Sequence, residues 1–311
     1  MPKVLISDSM NNIAVKILEE NNIDVDVKTD LDPEELQDEI QNYDGLIVRS
    51  ATKVTEKIIS HAKNLKVIGR AGAGVDNINI ASAKEKNIIV MNTPGANTNS
   101  TAEHSLSLLI SVYKNIPLAN NTTHKGLWEK KKFKGLELRG KKIGIIGFGN
   151  VGMRFAEISI SLGMKVFVFS KSFESRKSKF PNIKSFPFND LITNSDIISL
   201  HCKPNENNKP LFTYKEFKLM KPDSVIINTA RGGLIDENDL KKALDENLIR
   251  GAGLDVFANE PLKDSILFGT KNIVLTPHIA ASTVEAQVIV AEQIANQISE
   301  FLNKGKIINS I

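Results

Sequence analysis

The run Lys142-Ile143-Gly144-Ile145-Ile146-Gly147-Phe148-Gly149-Asn150-Val151-Gly152 constrains this chain more than any other. A short apolar stretch enters Gly147-x-Gly149-x-x-Gly152, and Met153 to Ile158 follows with no helix breaker. The order is therefore strand, glycine turn, helix. In that order the first glycine makes the tight turn and the second lets the backbone approach a pyrophosphate. The third lets helix and strand pack closely, so that an anion meets the helix N-terminus. The spacing alone is a weak signal. Its context makes Gly147, Gly149, Asn150, Val151 and Gly152 candidate cofactor-binding residues.

Short β-branched runs alternate with helical segments on both sides of this turn, the pattern of parallel sheets covered by helices. Five candidate strands precede residue 95: Val4–Ser7, Val25–Val27, Leu46–Arg49, Val67–Gly69 and Ile88–Met91. Six more begin at the glycine turn: Ile143–Ile146, Val166–Phe169, Ile197–Leu200, Val225–Asn228, Leu254–Val256 and Ile273–Leu275. The predicted fold is α/β with two domains, one flavodoxin-like and one a doubly wound Rossmann domain. Two capping boxes, Ser100 to Glu103 and Ser282 to Glu285, predict helices through Ile116 and to about Leu302. The expected division is residues 1–98 plus 283–311 against residues 99–282.

The 311 residues carry a net charge of +4, too mild to point to nucleic acid. Basic residues concentrate between Lys125 and Lys142, where eight Lys or Arg face only Glu129 and Glu137. That segment is either a solvated face or an attractor for an anionic substrate. No apolar run has the roughly twenty residues a spanning helix needs, and the N-terminus lacks a signal-peptide layout. A cytoplasmic protein is expected. The single cysteine, Cys202, excludes an internal disulfide.

Several ordered motifs carry a resemblance. They are Gly45 to Thr52, Gly69 to Ile78, Met91 to Pro94, Trp128 to Phe133, Asn228 to Gly233, Leu254 to Phe257 with Glu260-Pro261, and Pro277 to Thr283. On them the chain resembles the D-isomer-specific 2-hydroxyacid dehydrogenases over nearly its whole length, and within that family the short D-3-phosphoglycerate dehydrogenases. The resemblance implies hydride transfer between a nicotinamide cofactor, NAD(P)(H), and a D-2-hydroxy acid. It further implies a homodimer, formed through the helix region that includes Trp128; because the chain ends at Ile311, soon after its last helix, feedback control by serine through a C-terminal regulatory domain is not expected.

Chemistry supports the same assignment. Oxidising a 2-hydroxy acid removes the hydroxyl proton as hydride leaves the carbon, a task for a histidine titrating near neutrality. His278, after Pro277 at a strand end, is placed for it. A carboxylate on its other ring nitrogen would fix the tautomer, and the resemblance gives that role to Glu260. Arg231 is the expected bidentate partner of the substrate carboxylate. By resemblance, Ala73 and Gly74 in the loop after Arg70 receive the carboxylate end, while Arg49, Ser50 and Arg70 hold a phosphate. Ala230, Cys202 and Asp255 are expected near the cofactor, Asp255 by the nicotinamide amide. The other histidines, His104 and His201 among them, read as structural.

An NAD-specific domain of this kind places Asp or Glu about twenty residues after the glycine turn. Here that stretch reads Phe169-Ser170-Lys171-Ser172. Without the carboxylate a 2′-phosphate is not excluded, and Ser170, Lys171, Ser172 and Arg176 become its candidate ligands, favouring NADP(H). Three functions follow: a phosphoglycerate dehydrogenase, an NADPH-dependent glyoxylate or hydroxypyruvate reductase, and a dinucleotide-sensing corepressor-like protein.

Overall fold

The computed structural model describes residues 1–204, 207 and 209–311, which form two compact units, Met1–Asn97 with Ser282–Ile311 and Thr98–Ala281. Unit 1 begins β1 (Lys3–Ile6), α1 (Ile13–Glu20), β2 (Asp24–Val27), α2 (Pro33–Glu39) and β3 (Gly45–Val48), then α3 (Glu56–His61), β4 (Val67–Arg70), α4 (Ile80–Glu85) and β5 (Ile89–Asn92). All its strand pairs are parallel, in the order β2-β1-β3-β4-β5.

Unit 2 holds α5 (Thr98–Lys114), α6 (Ile116–His124), β6 (Lys142–Ile146), α7 (Asn150–Ser161), β7 (Lys165–Phe169), β8 (Lys184–Ser185) and α8 (Phe188–Asn194). It continues through β9 (Ile197–Leu200), α9 (Tyr214–Leu219), β10 (Val225–Asn228), α10 (Glu237–Asp245), β11 (Gly251–Leu254) and β12 (Ile273–Leu275). The long α11 (Val284–Lys304) returns to unit 1.

Buried parallel strands read as continuous apolar runs because helices cover both faces, and alternate residues divide between the two sides. In unit 1, Leu5, Leu46 and Val48 join a core with Leu36 of α2 and Ile58 of α3. Val4, Ile6 and Ile47 face the other way, onto Leu18 of α1 and Ile294 and Ile298 of α11. Burying each of those two isoleucines contributes about 1.5–3 kcal/mol. Gly69 of β4 admits α11 closely, since a Cβ there would lie 2.8 Å from Ile294 Cγ1.

The unit 2 sheet has seven parallel strands in the order β12-β11-β10-β9-β6-β7-β8, with the strand order reversing between β6 and β9. Ligands of such sheets bind at the carboxyl ends of the strands flanking that reversal. The sequence predicted six strands. The added β8 is two exposed residues on β7 with no apolar signature. β11 was expected at Leu254–Val256 but runs Gly251–Leu254, a run without β-branched residues. Packing requires those small residues: a Cβ on Gly253 would approach Leu108 Cβ of α5 to 3.0 Å and Ile227 Cδ1 to 2.9 Å.

Two helix starts also move. Ser100 lies inside α5, which begins at Thr98, and its hydroxyl donates to Ala280 O at 2.6 Å instead of capping. Thr283, not Ser282, caps α11, accepting from Ala286 N at 3.2 Å. The helix predicted through Ile116 breaks at Asn115, whose φ is +55°, and resumes as α6. Among the described residues no helix is long and apolar enough to cross a membrane.

Candidate active site

Every cofactor and acid–base candidate of unit 2 follows the carboxyl end of a strand: the glycine turn after β6, Ser170 and Lys171 after β7, and Cys202 after β9. Ala230 and Arg231 follow β10, Asp255 and Glu260 follow β11, and His278 follows β12. Because the sheet is parallel, all of them lie along one edge. A cavity of about 540 Å³ lined by Asn115, Asp223, Arg250 and Asn272 opens instead beside residues that precede β10, β11 and β12. Concavity alone would therefore mark the wrong edge.

Gly147 adopts φ +93°, and a Cβ on it would sit 2.5 Å from the His201 carbonyl oxygen and 2.7 Å from Cys202 N. This close approach seats the turn against the end of β9 at the strand reversal. A Cβ on Gly152 would collide with the Gly147 carbonyl oxygen. At Gly149, the N-cap of α7, a Cβ would meet no atom within 4 Å among the described residues. Two of the glycines are thus required by the protein's own packing, and the open face lies at Gly149, where a pyrophosphate could meet the N-terminus of a twelve-residue helix. These residues fit a dinucleotide. Asn150 is exposed and Val151 half-buried against the core.

Beyond β7 no carboxylate stands at Ser170 to Ser172. Ser170 Oγ is 3.1 Å from Ser172 Oγ, Lys171 is exposed, and the Arg176 guanidinium donates to the Phe148 carbonyl inside the glycine turn. Phe173 and Phe180 pack edge-on against Phe148 at 5.4 and 5.2 Å, fixing the turn that Arg176 holds. Burial pushes the Cys202 thiol up to about 11 and His201 down to about 3. At neutral pH the thiol is therefore protonated and the imidazole neutral. His201 Nε2 lies 2.9 Å from Ser199 Oγ, in keeping with a structural role.

The acid–base candidates converge. His278 Nδ1 lies 2.6 Å from Glu260 Oε2, and Glu260 Oε1 accepts from Phe257 N at 3.0 Å. His278 has φ +53°, rare for an L residue. The Glu260 hydrogen bond raises the His278 pKa above its ordinary value, against burial and against the positive charge of Arg231. For Glu260, burial acts upward, yet the His278 and Phe257 hydrogen bonds hold it below the ordinary value. Arg231 Nη1 donates to Ala230 O at 2.6 Å, and Asn228 braces the turn, donating to Arg231 O at 2.8 Å and accepting from Ala230 N at 3.0 Å.

The fully buried Asp255 carboxylate, a candidate for the nicotinamide amide, has four protein partners: Thr276 Oγ1, Ile279 N, Ala280 N and His104. His104, which sequence reasoning set aside as structural, thus meets an expected site residue. The pairing joins α5 to the β11 end across 151 positions, and no local pattern carries it.

In unit 1, Arg49 and Ser50 follow β3, and Arg70 ends the adjacent β4. Arg49 Nη1 donates to Ser9 O at 3.0 Å, Ser50 is exposed, and Arg70 Nη1 donates to Ala71 O at 3.3 Å. The Arg70 guanidinium lies where a Cβ on Gly72 would be. Asn92 Nδ2 donates to Ala73 O at 2.6 Å, and Gly74 is half-buried. Sequence reasoning missed Asp8, which accepts from Arg49 N at 2.5 Å and from Thr52 Oγ1 at 2.8 Å and so pins the loop. Its position just after a central parallel strand was the available signal.

A glycine turn at a strand reversal, with an imidazole–carboxylate pair on the same sheet edge, defines a doubly wound dinucleotide-binding protein equipped for proton transfer. The family of D-isomer specific 2-hydroxyacid dehydrogenases, NAD binding domain, matches residues 106–280, and the chain belongs to it. It is similar to the D-3-phosphoglycerate dehydrogenase of Archaeoglobus fulgidus, 41% identical over 299 residues, covering 94% of this chain and 57% of that protein. The chain spans about half the length of the curated relatives it matches. The structure of NAD+-bound 3-phosphoglycerate dehydrogenase from Entamoeba histolytica aligns with a TM-score of 0.84 at 29% identity, covering 100% of this chain and 98% of that one. An acyclic imino acid reductase in complex with NADPH and D-Arg aligns with a TM-score of 0.89 at 34% identity, covering 99% of both chains.

Proposed function

We propose that the protein is an NAD(P)-dependent D-2-hydroxyacid dehydrogenase whose substrate pair is 3-phosphoglycerate and 3-phosphohydroxypyruvate, the chemistry that leads into serine. The observation that carries the reading is the 2.6 Å His278–Glu260 contact within the field of Arg231. With Nδ1 engaged by Glu260, Nε2 is the ring nitrogen left to take the hydroxyl proton in oxidation or return it in reduction. Arg231 holds the substrate carboxylate and stabilises charge developing on the C2 oxygen. Residues 147–152 would hold the pyrophosphate of a dinucleotide, whose nicotinamide would supply the hydride donor or acceptor for C2.

In unit 1, Arg49, Ser50 and Arg70 are assigned to the phosphate, and Ala73 and Gly74 to the carboxylate end. NADP(H) is the favoured cofactor, because Ser170 and Lys171 replace the carboxylate that repels a 2′-phosphate. A cytoplasmic homodimer belongs to the same reading: Ile116, Leu118, Leu127 and Trp128 are exposed apolar side chains that a second copy would cover.

A reductase of unphosphorylated keto acids is the second reading, favoured by the neutral and basic Ser170-Lys171-Ser172 stretch. A matrix of initial reduction rates decides, crossing 3-phosphohydroxypyruvate, hydroxypyruvate and glyoxylate with NADH and NADPH. The proposal requires the phosphorylated acid to lead in kcat/KM by at least about tenfold, a difference of about 1.4 kcal/mol. It also requires Arg49→Ala and Arg70→Ala to erase that lead. A lead by glyoxylate or hydroxypyruvate assigns the second reading, and no turnover of any keto acid leaves a dinucleotide-sensing protein.

A further inference from the structure

Asp255 and His104 lie outside the acid–base pair, at the end of β11 and on α5. The Asp255 carboxylate is fully buried and grips both ends of the strap Thr276–Ala280. Its Oδ1 accepts from Thr276 Oγ1 at 2.6 Å and from Ile279 N at 2.9 Å, and its Oδ2 accepts from Ala280 N at 2.8 Å. His104 Nε2 is 3.3 Å from the same Oδ1 and 3.0 Å from Thr276 Oγ1. Ser100 of α5 adds a second tie, donating to Ala280 O at 2.6 Å. In the middle of this strap stands His278 at φ +53°, a conformation that persists only where the surroundings over-determine it.

The proton positions follow from the chemistry of the groups. An ionised carboxylate only accepts, so the Thr276 hydroxyl spends its one proton on Asp255 and its oxygen accepts from His104. Nε2 of His104 therefore carries a proton and serves both neighbours. Without it, Thr276 could turn away and Oδ1 of a fully buried carboxylate would lose a donor, the costly case for a buried charge.

We propose that His104 is a positioning residue for His278: by completing the donor set of Asp255 it locks the 276–280 strap and so aims the catalytic imidazole. The inference rests on the proposed proton role of His278. His104 touches neither substrate nor cofactor in this scheme. It acts through Asp255 and Thr276, and a misplacement of the imidazole by about 1 Å is enough to slow turnover on the order of a hundredfold.

The test uses His104→Phe, which keeps a ring and removes the Nε2–H donor, His104→Gln, which returns an N–H, and Thr276→Val, which removes the shared hydroxyl. Each is assayed on the fastest keto acid of the rate matrix, with cofactor dissociation constants from fluorescence titration and folding from circular dichroism. His104→Phe and Thr276→Val should lower kcat by about 10- to 100-fold while KM and the cofactor constant stay within about threefold. His104→Gln should recover most of the loss. Near-normal kcat in folded His104→Phe overturns the proposal, as does an equal loss in His104→Phe and His104→Gln. Should His104→Phe fail to fold, wild-type kcat in Thr276→Val overturns it. His278→Ala is assayed alongside: if it turns over normally, the proton role itself is wrong, whereas an inactive His278→Ala with a fully active His104→Phe sinks only this inference.

Discussion

Glu260 Oε2 sits 2.6 Å from Nδ1 of His278, and the other oxygen of the same carboxylate is held by Phe257 N at 3.0 Å. The carboxylate is thus anchored to its own loop before it orients the ring. Nδ1 keeps its proton toward Glu260, and the charge change of the imidazole is confined to Nε2.

The pH dependence of activity follows from the raised His278 pKa. Reduction needs the imidazolium as donor, so kcat/KM for the keto acid should fall as pH rises through that raised value. Oxidation needs the neutral base and should rise through the same value. Glu260→Gln removes the largest cause of the raise, so both profiles should move to lower pH and kcat should fall at least about tenfold. Unmoved profiles would mean that another group titrates.

Stability should respond in a defined window. His278 has its pKa raised, so its contribution is complete below the ordinary value of 6.5 and is lost as pH climbs through the folded value. Glu260 is lowered, so its contribution is complete above the ordinary 4.5 and is lost as pH drops through the folded value. The Tm difference between wild type and Glu260→Gln should therefore be greatest between about 4.5 and 6.5 and shrink on both sides. Thermal melts across pH check it.

Two glycines of the turn, Gly149 and Gly152, should fail differently. Gly149→Val enters open space, so the variant should fold and lose at least about tenfold in cofactor affinity. Gly152→Ala drives a methyl into the Gly147 carbonyl and should lower Tm even without cofactor. Calorimetry and cofactor titration on both variants separate the two roles.

Cofactor choice is testable at the end of β7. Ser170→Asp should restore repulsion of the 2′-phosphate, cutting kcat/KM with NADPH about tenfold or more while sparing NADH. Lys171→Ala should shift the ratio in the same direction. An unchanged NADPH/NADH ratio in both would place discrimination elsewhere.

The order of elements was legible because parallel strands buried on both faces read as unbroken apolar runs, and Ile143–Ile146 into Gly147 announced itself at short range. β11 was displaced because its Gly251-Ala252-Gly253 run answers to Leu108 on α5, a contact outside any local window. Likewise Ser100 matched a capping box in sequence but spends its hydroxyl on Ala280 O. His278, Glu260 and Arg231 were named as candidates from their motifs, and the structure brings His278 and Glu260 to within 2.6 Å of each other. The supports of the site, Asp8 under Arg49 and His104 on Asp255, were not, because each bond joins residues at least 40 positions apart in unrelated motifs.

The most direct measurement of the central claim is single-turnover reduction of 3-phosphohydroxypyruvate by His278→Ala, with cofactor affinity determined on the same sample. The account predicts cofactor binding within about threefold of wild type and a rate lower by about 10²- to 10⁴-fold. A rate close to wild type would show that the proton moves through another group and that the His278–Glu260 pair is not the catalytic one.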